Sequence, residues 1–167
     1  ALLGRRSSRE MDPQTESLVR LANPNDVIEL RIVLEPYYAR LAALRASSIE
    51  IARITKAAQS DPEDDYGTPD IAFHLEIASA SRNALAREFY RMLRKVGADS
   101  RVRLPSQTPL GPGRRQERDE EHMRIANAIA KRDPDGAEEA MRAHLAVVHT
   151  VILERMSPDL KGNAETT

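Results

Sequence analysis

Apolar side chains in this chain recur at steps of three and four, segment after segment, and nowhere alternate over a run that would make a persuasive strand. A chain patterned in this way buries one face per helical turn and packs helix on helix. After the cap-competent Asn25 or Asp26, the positions Val27, Leu30, Leu34, Tyr38, Leu41 and Leu44 predict a first long helix over residues 25–47. Pro36 lies inside it and removes a hydrogen bond, so a bend is expected between Ile32 and Pro36. A shorter helix follows over residues 48–59. The stretch SDPEDDYGTPD then breaks the pattern as a loop, until Thr68 and Pro69 open a third helix with a cap and a proline at the first helical position. Ser81 to Asn83 separates it from a fourth helix over 84–104, with Leu85, Phe89, Met92, Leu93 and Val96 as its stripe. A loop rich in proline and glycine leads to a fifth helix over 114–131, and KRDPDG turns the chain into a sixth over 135–156. The expected fold class is all-α, an antiparallel bundle of about six helices.

With 167 residues, 41% of them hydrophobic and 31% charged, the chain is large enough for one domain with a real core. Residues 1–24 lack the pattern and read as a linker or tail, and residues 157–167 as a disordered C-terminal tail. A formal net charge of -1 gives no basic excess that would by itself point to nucleic acid or anionic lipid. The absence of cysteine rules out disulfides, thiolate metal sites and a thiol nucleophile. No apolar run approaches the roughly 20 residues that span a bilayer, and the opening ALLGRRSSRE is too polar for a secretory signal. A cytoplasmic protein with no membrane contact is expected.

The four histidines are the chemically informative residues. His122 shares a helix face with Ile125, Ala126 and Ile129, and His144 lines up with Ala137, Met141, Val148 and Val151. Asp70 and His74, four apart, occupy adjacent turns of one face that continues to Ile77 and Ala78. His149 lies roughly 140° around its helix from His144 and falls outside the set. Taken singly, each inward histidine is most simply a satisfied core residue, and Asp70 a complement to its helix dipole. Taken together, a carboxylate and three imidazoles buried from three helices are costly unless paired. One divalent ion would pair all four, and nitrogen and oxygen ligands suit zinc or nickel.

The segments RIVLEPYYARLAA, DIAFHLEIASASRN, EEHMRIANAI and MRAHL, in that order, resemble the FadR C-terminal, or FCD, domain of GntR-family transcription regulators. The resemblance runs from Asp26 to Arg155 and includes the D-x-x-F-H pattern and both later histidines. It implies a metal and effector cavity at the centre of the bundle, with Asp70, His74, His122 and His144 as the ligands. It further implies residues 25–156 as an effector-binding and dimerisation domain, a small carboxylate effector and a homodimer. DNA would be read only through a winged helix-turn-helix domain not present in this chain, to which residues 1–24 would be the linker or tail. The helix count looks more like the VanR subgroup than the FadR subgroup. Ala84 stands where the family commonly has proline.

Two further residues carry alternative readings. Arg31 and Glu35, at i and i+4, form a surface ion pair in the simplest reading, whereas the resemblance turns Arg31 toward the cavity to hold an acidic effector in two parallel hydrogen bonds. Asn83 is most simply a helix cap, and otherwise an effector contact. A cation beside Arg31 favours an anion, and an aromatic content of 4% argues against a flat aromatic ligand. The alternative function is a helical metalloenzyme acting on small acids or esters. Against it, the chain has neither a Glu-x-x-His pair on two helices nor an adjacent His-Asp pair, and Glu76 and Glu121, the nearest candidate bases, are expected to face solvent.

Overall fold

The computed structural model describes residues 12–60, 68–98 and 112–156, and these form seven helices and no strand. They are α1 (Pro13–Leu21), α2 (Pro24–Arg45), α3 (Ser48–Ala57), α4 (Thr68–Ala80), α5 (Ala84–Ala98), α6 (Pro112–Ala130) and α7 (Pro134–Met156). The all-α class is as expected, with one helix more. The addition is α1, inside the segment that reads as a linker or tail. Asp12 caps it by accepting from Thr15 N at 3.0 Å, and Pro13 takes the first position. Only Thr15 and Val19 are buried, which is too few to show as a stripe in the sequence. Val19 meets Val96 of α5 in a small apolar cluster of its own, and Lys95 Nζ lies 3.2 Å from Asp12 Oδ2.

Helix α2 is the axis of the bundle, packed against α4, α5, α6 and α7. Its cap is Asn23 rather than Asn25 or Asp26: Asn23 Oδ1 accepts from Asn25 N at 2.8 Å and Asp26 N at 3.1 Å, and Asp26 Oδ2 accepts from Asn23 N at 2.8 Å. The helix continues through Pro36 without a break. Its buried residues include Ile28, Arg31, Glu35, Tyr38, Ala39, Leu41, Ala42 and Ala43, whereas Leu30 and Leu44, expected inside, are 49% and 58% exposed. Neighbouring helices crowd α2 closely enough that alanines fill the contacts and the larger aliphatics are left outside. The expected stripe of α5 shifts in the same way. Leu85 and Phe89 are exposed, and the inner face is Ala86, Tyr90, Leu93 and Val96.

Helix α3 follows Ser47, which forms a capping box with Glu50. Helix α4 begins at Thr68, where the Thr-Pro pair predicts it. Three-residue turns join α4 to α5 and α6 to α7, making two helical hairpins. In each turn an arginine takes a left-handed conformation, Arg82 with φ 53° and Arg132 with φ 59°. Each then uses its guanidinium at a distance: Arg82 Nη2 lies 3.1 Å from Glu50 Oε2, and Arg132 Nη1 donates to the Ala43 carbonyl at 3.2 Å. The core joins Ile28, Ile54, Phe73, Tyr90, Ile125 and Met141 from six helices. Among the described residues no helix is long and apolar enough to cross a membrane. The loop over residues 61–67, the extension of the fourth predicted helix beyond Ala98 and the tail at 157–167 lie outside the described residues.

Candidate metal centre

Four ligand atoms converge where α4, α6 and α7 meet. One oxygen of Asp70 and one nitrogen each of His74, His122 and His144 lie within 4.8 Å of one another. Asp70 Oδ1 is 3.3 Å from His122 Nε2 and 3.7 Å from His74 Nε2. The imidazoles face one another, with ring centroids 5.3 Å apart for His74 and His122, 5.2 Å for His74 and His144, and 4.7 Å for His122 and His144. All three histidines are buried, and the Nε2 atom of each has no hydrogen-bond partner. Three imidazole nitrogens without a hydrogen-bond partner, set around a carboxylate, fit a divalent ion of the zinc or nickel type.

The far sides of two rings are held. His74 Nδ1 lies 2.5 Å from Glu35 Oε2, and Glu35 in turn takes Arg31 Nε on Oε1 at 2.5 Å. His144 Nδ1 is 2.7 Å from Glu121 Oε2, whose Oε1 accepts from Arg114 Nη1 at 3.0 Å. An Arg–carboxylate–His chain therefore runs inward on the α6 side, where Glu121 favours the proton on His144 Nδ1 and leaves Nε2 toward the centre. On the α2 side the Arg31–Glu35 ion pair lies close against His74 Nδ1 without a hydrogen bond to it. His122 is held by packing instead, stacked on Phe73 with centroids 4.1 Å apart and planes at 19°.

Electrostatics support the same division. Burial carries His122 down to about 4, with Asp70 only partly opposing it, and burial also lowers His144 against the pull of Glu121. Burial works against a charge on His74 too, but there the Glu35 and Asp70 carboxylates outweigh it and the net shift is upward. Asp70 would be raised by burial, yet His74 and His122 hold it well below the ordinary carboxylate range. Burial opposes ionisation of Glu35 and Glu121 as well; Arg31 and His74 bring the first to about 2, and His144 and Arg114 bring the second to about 2. The centre thus offers ionised carboxylates and two neutral imidazoles to a cation.

Asp70, His74, His122 and His144 are brought together as predicted from the sequence. His149 stays apart, with Nε2 2.9 Å from Asn25 Oδ1. Arg31 and Glu35 are buried rather than a surface pair, at 5% and 2% exposure. Asn83 is not brought to the cluster: it is exposed and caps α5, accepting from Leu85 N at 3.1 Å and Ala86 N at 3.4 Å. Glu121, expected in solvent, is buried against His144, while Glu76 pairs with Arg53 at 3.3 Å. Sequence reasoning missed Glu35 and Glu121 as ligand-orienting residues.

The family model of the FCD domain matches residues 26–147. An Escherichia coli (strain K12) protein assigned as the L-lactate dehydrogenase operon regulatory protein is 33% identical over 149 residues, covering 85% of this chain and 56% of its own length. The HTH-type transcriptional regulator LutR of Bacillus subtilis (strain 168) is 30% identical over 145 residues, covering 81% of this chain and 64% of its own length. The Uxu operon transcriptional regulator of Escherichia coli (strain K12) is 26% identical over 166 residues, 95% of this chain and 65% of that protein. The chain therefore spans between half and two thirds of the length of these relatives. A solved structure, Streptococcus agalactiae GntR, superposes with a TM-score of 0.58 at 23% identity over 83% of this chain and 60% of that one, a likeness of fold. These relatives are named as regulators of transcription and not as enzymes.

Proposed function

This chain belongs to the FCD domain family of GntR-type transcription regulators, and from that premise we propose that it is a sensing domain that holds one divalent metal through Asp70, His74, His122 and His144 and binds a small carboxylate beside it. The observation that carries this reading is the set of three buried, unpartnered Nε2 atoms around an ionised carboxylate. Zinc or nickel would supply a fixed positive charge there for an anion. Arg31 is the second attraction: Glu35 fixes its Nε, and its Nη2 is buried with no acceptor. One relative is named for an L-lactate dehydrogenase operon, so L-lactate belongs in the panel of acids to be compared.

On this reading, acid binding changes how the helices meet and so biases a separate winged helix-turn-helix domain, through which DNA is read. A homodimer matches the two-fold symmetry of DNA half-sites, and the whole acts in the cytoplasm where its operator lies. Metal analysis of the purified chain tests the reading directly. One ion per chain is expected, lost in His122→Ala and His144→Ala and kept in His149→Ala. Equal metal content in all three variants overturns it. Calorimetry then compares acids with their uncharged amides on the metal-loaded chain, where metal removal or Arg31→Ala should weaken the acid alone.

A further inference from the structure

Three hydrogen-bond donors on α2 and α5 have no acceptor in the centre described above. Tyr90 is 1% exposed, its hydroxyl is unpartnered, and its ring lies over that of His74 with centroids 6.2 Å apart and planes at 24°. Arg31 uses Nε on Glu35 and leaves Nη2 buried and bare. Arg94, one turn beyond Tyr90 on the same side of α5, buries its Nε without a partner. Buried donors are seldom left this way, because each has given up its hydrogen bonds to water.

A guanidinium donates and never accepts, so whatever satisfies this group must bring acceptors. The Tyr90 hydroxyl can both donate and accept, and it lies within electrostatic reach of Arg31 and Arg94. Glu35 offsets the charge of Arg31, and Arg94 adds a second cationic donor through its buried Nε. An anionic oxygen group suits all three donors together.

We propose that Tyr90, Arg31 and Arg94 form the far anchor of the effector site, receiving a second acidic group on the same ligand whose first carboxylate is drawn to the Asp70, His74, His122 and His144 centre. The chain thereby selects dicarboxylic acids over monocarboxylic acids of equal length. This rests on the effector reading above, and it adds Tyr90, a residue that no motif or spacing singles out.

The test is calorimetry of the zinc-loaded full chain with two matched pairs, malonate against propionate and succinate against butyrate. In at least one pair the diacid should bind about tenfold or more tightly, the scale of one charge-assisted hydrogen bond. Tyr90→Phe should weaken that diacid by about tenfold, leave the monoacid unchanged and leave zinc content unchanged. Should Tyr90→Phe fail to fold, Arg94→Gln makes the same comparison from a partly exposed position. If the acids bind but each pair binds equally, or the variant leaves the ratio unchanged, the far anchor is wrong, the donors are satisfied by water, and the effector reading stands. If no acid of either pair binds the zinc-loaded chain, the effector reading falls and the anchor with it.

Discussion

Glu35 and Glu121 govern how His74 and His144 present themselves, and the two carboxylates differ in what else depends on them. Glu35→Gln removes the charge that compensates Arg31, whose side chain is 7% exposed, and should destabilise the fold by about 3–5 kcal/mol, the usual result of breaking a buried pair. Glu121→Gln leaves Arg114 with a side chain 25% exposed and able to reach water, so the fold should lose less. Both should lower metal affinity by about 10- to 100-fold, measured by competition with a chromophoric chelator, with thermal melts separating the two stability effects. Equal melting of the two variants would contradict the assignment of burial. The histidines were legible because a helix face is a fixed function of spacing. The carboxylates were not, because an Arg and a Glu four apart look the same on a solvated helix as on one enclosed by its neighbours. Glu121 adds a second difficulty, since it precedes the inward His122 and so points well around the helix, toward a partner 23 residues away across the turn.

At the scale of elements, the two hairpin turns carry an internal conflict. Arginine in the left-handed conformation costs about 1–2 kcal/mol, and Arg132 recovers part of it by donating to the Ala43 carbonyl of α2. Arg132→Ala keeps the strain and loses the bond, whereas Arg132→Gly loses both. The glycine variant should therefore melt higher than the alanine variant, by roughly 1 kcal/mol in stability, and the reverse order would count against strain at this turn. Helix α1 depends on a charge instead. Bonds from Thr15 and Lys95 hold the Asp12 carboxyl well below its ordinary 3.8, so its stabilising contribution is complete above that value and is lost as the pH falls below it toward the folded value. Hydrogen exchange at α1 amides should speed up on acidification through that window, and Asp12→Asn should flatten the response. The turns and several helix starts could be read from caps and breakers, as Asn83 illustrates, whereas the caps Asn23 and Ser47 were not singled out. Which face of α2 or α5 turns inward could not, because Leu30, Leu44, Leu85 and Phe89 fit the helical period as well as the alanines that are buried.

For the molecule as a whole, an ion at the centre would tie α4, α6 and α7 to one point. A ligand that binds only the folded state stabilises it by about 4 kcal/mol at a thousandfold excess over its dissociation constant, which for a chain of this length corresponds to a melting shift on the order of 10 °C. Chelation should lower the melting temperature by that order in the parent chain and leave the His122→Ala variant unmoved, followed by circular dichroism. The all-α class and the order of the last six helices were legible from periodicity. The central place of α2 was not, since a helix touched on several sides loses the one-sided pattern that would announce its neighbours. The connectivity of the ligands also bears on the order in which the site is assembled. Asp70 and His74 are a turn apart on one helix, and His122 and His144 sit on two helices joined by three residues, so each half can form from local structure alone. Only the meeting of the halves requires the chain between residues 74 and 122 to close on itself, a slower event than either. The centre is then completed late in folding from two pieces already in shape.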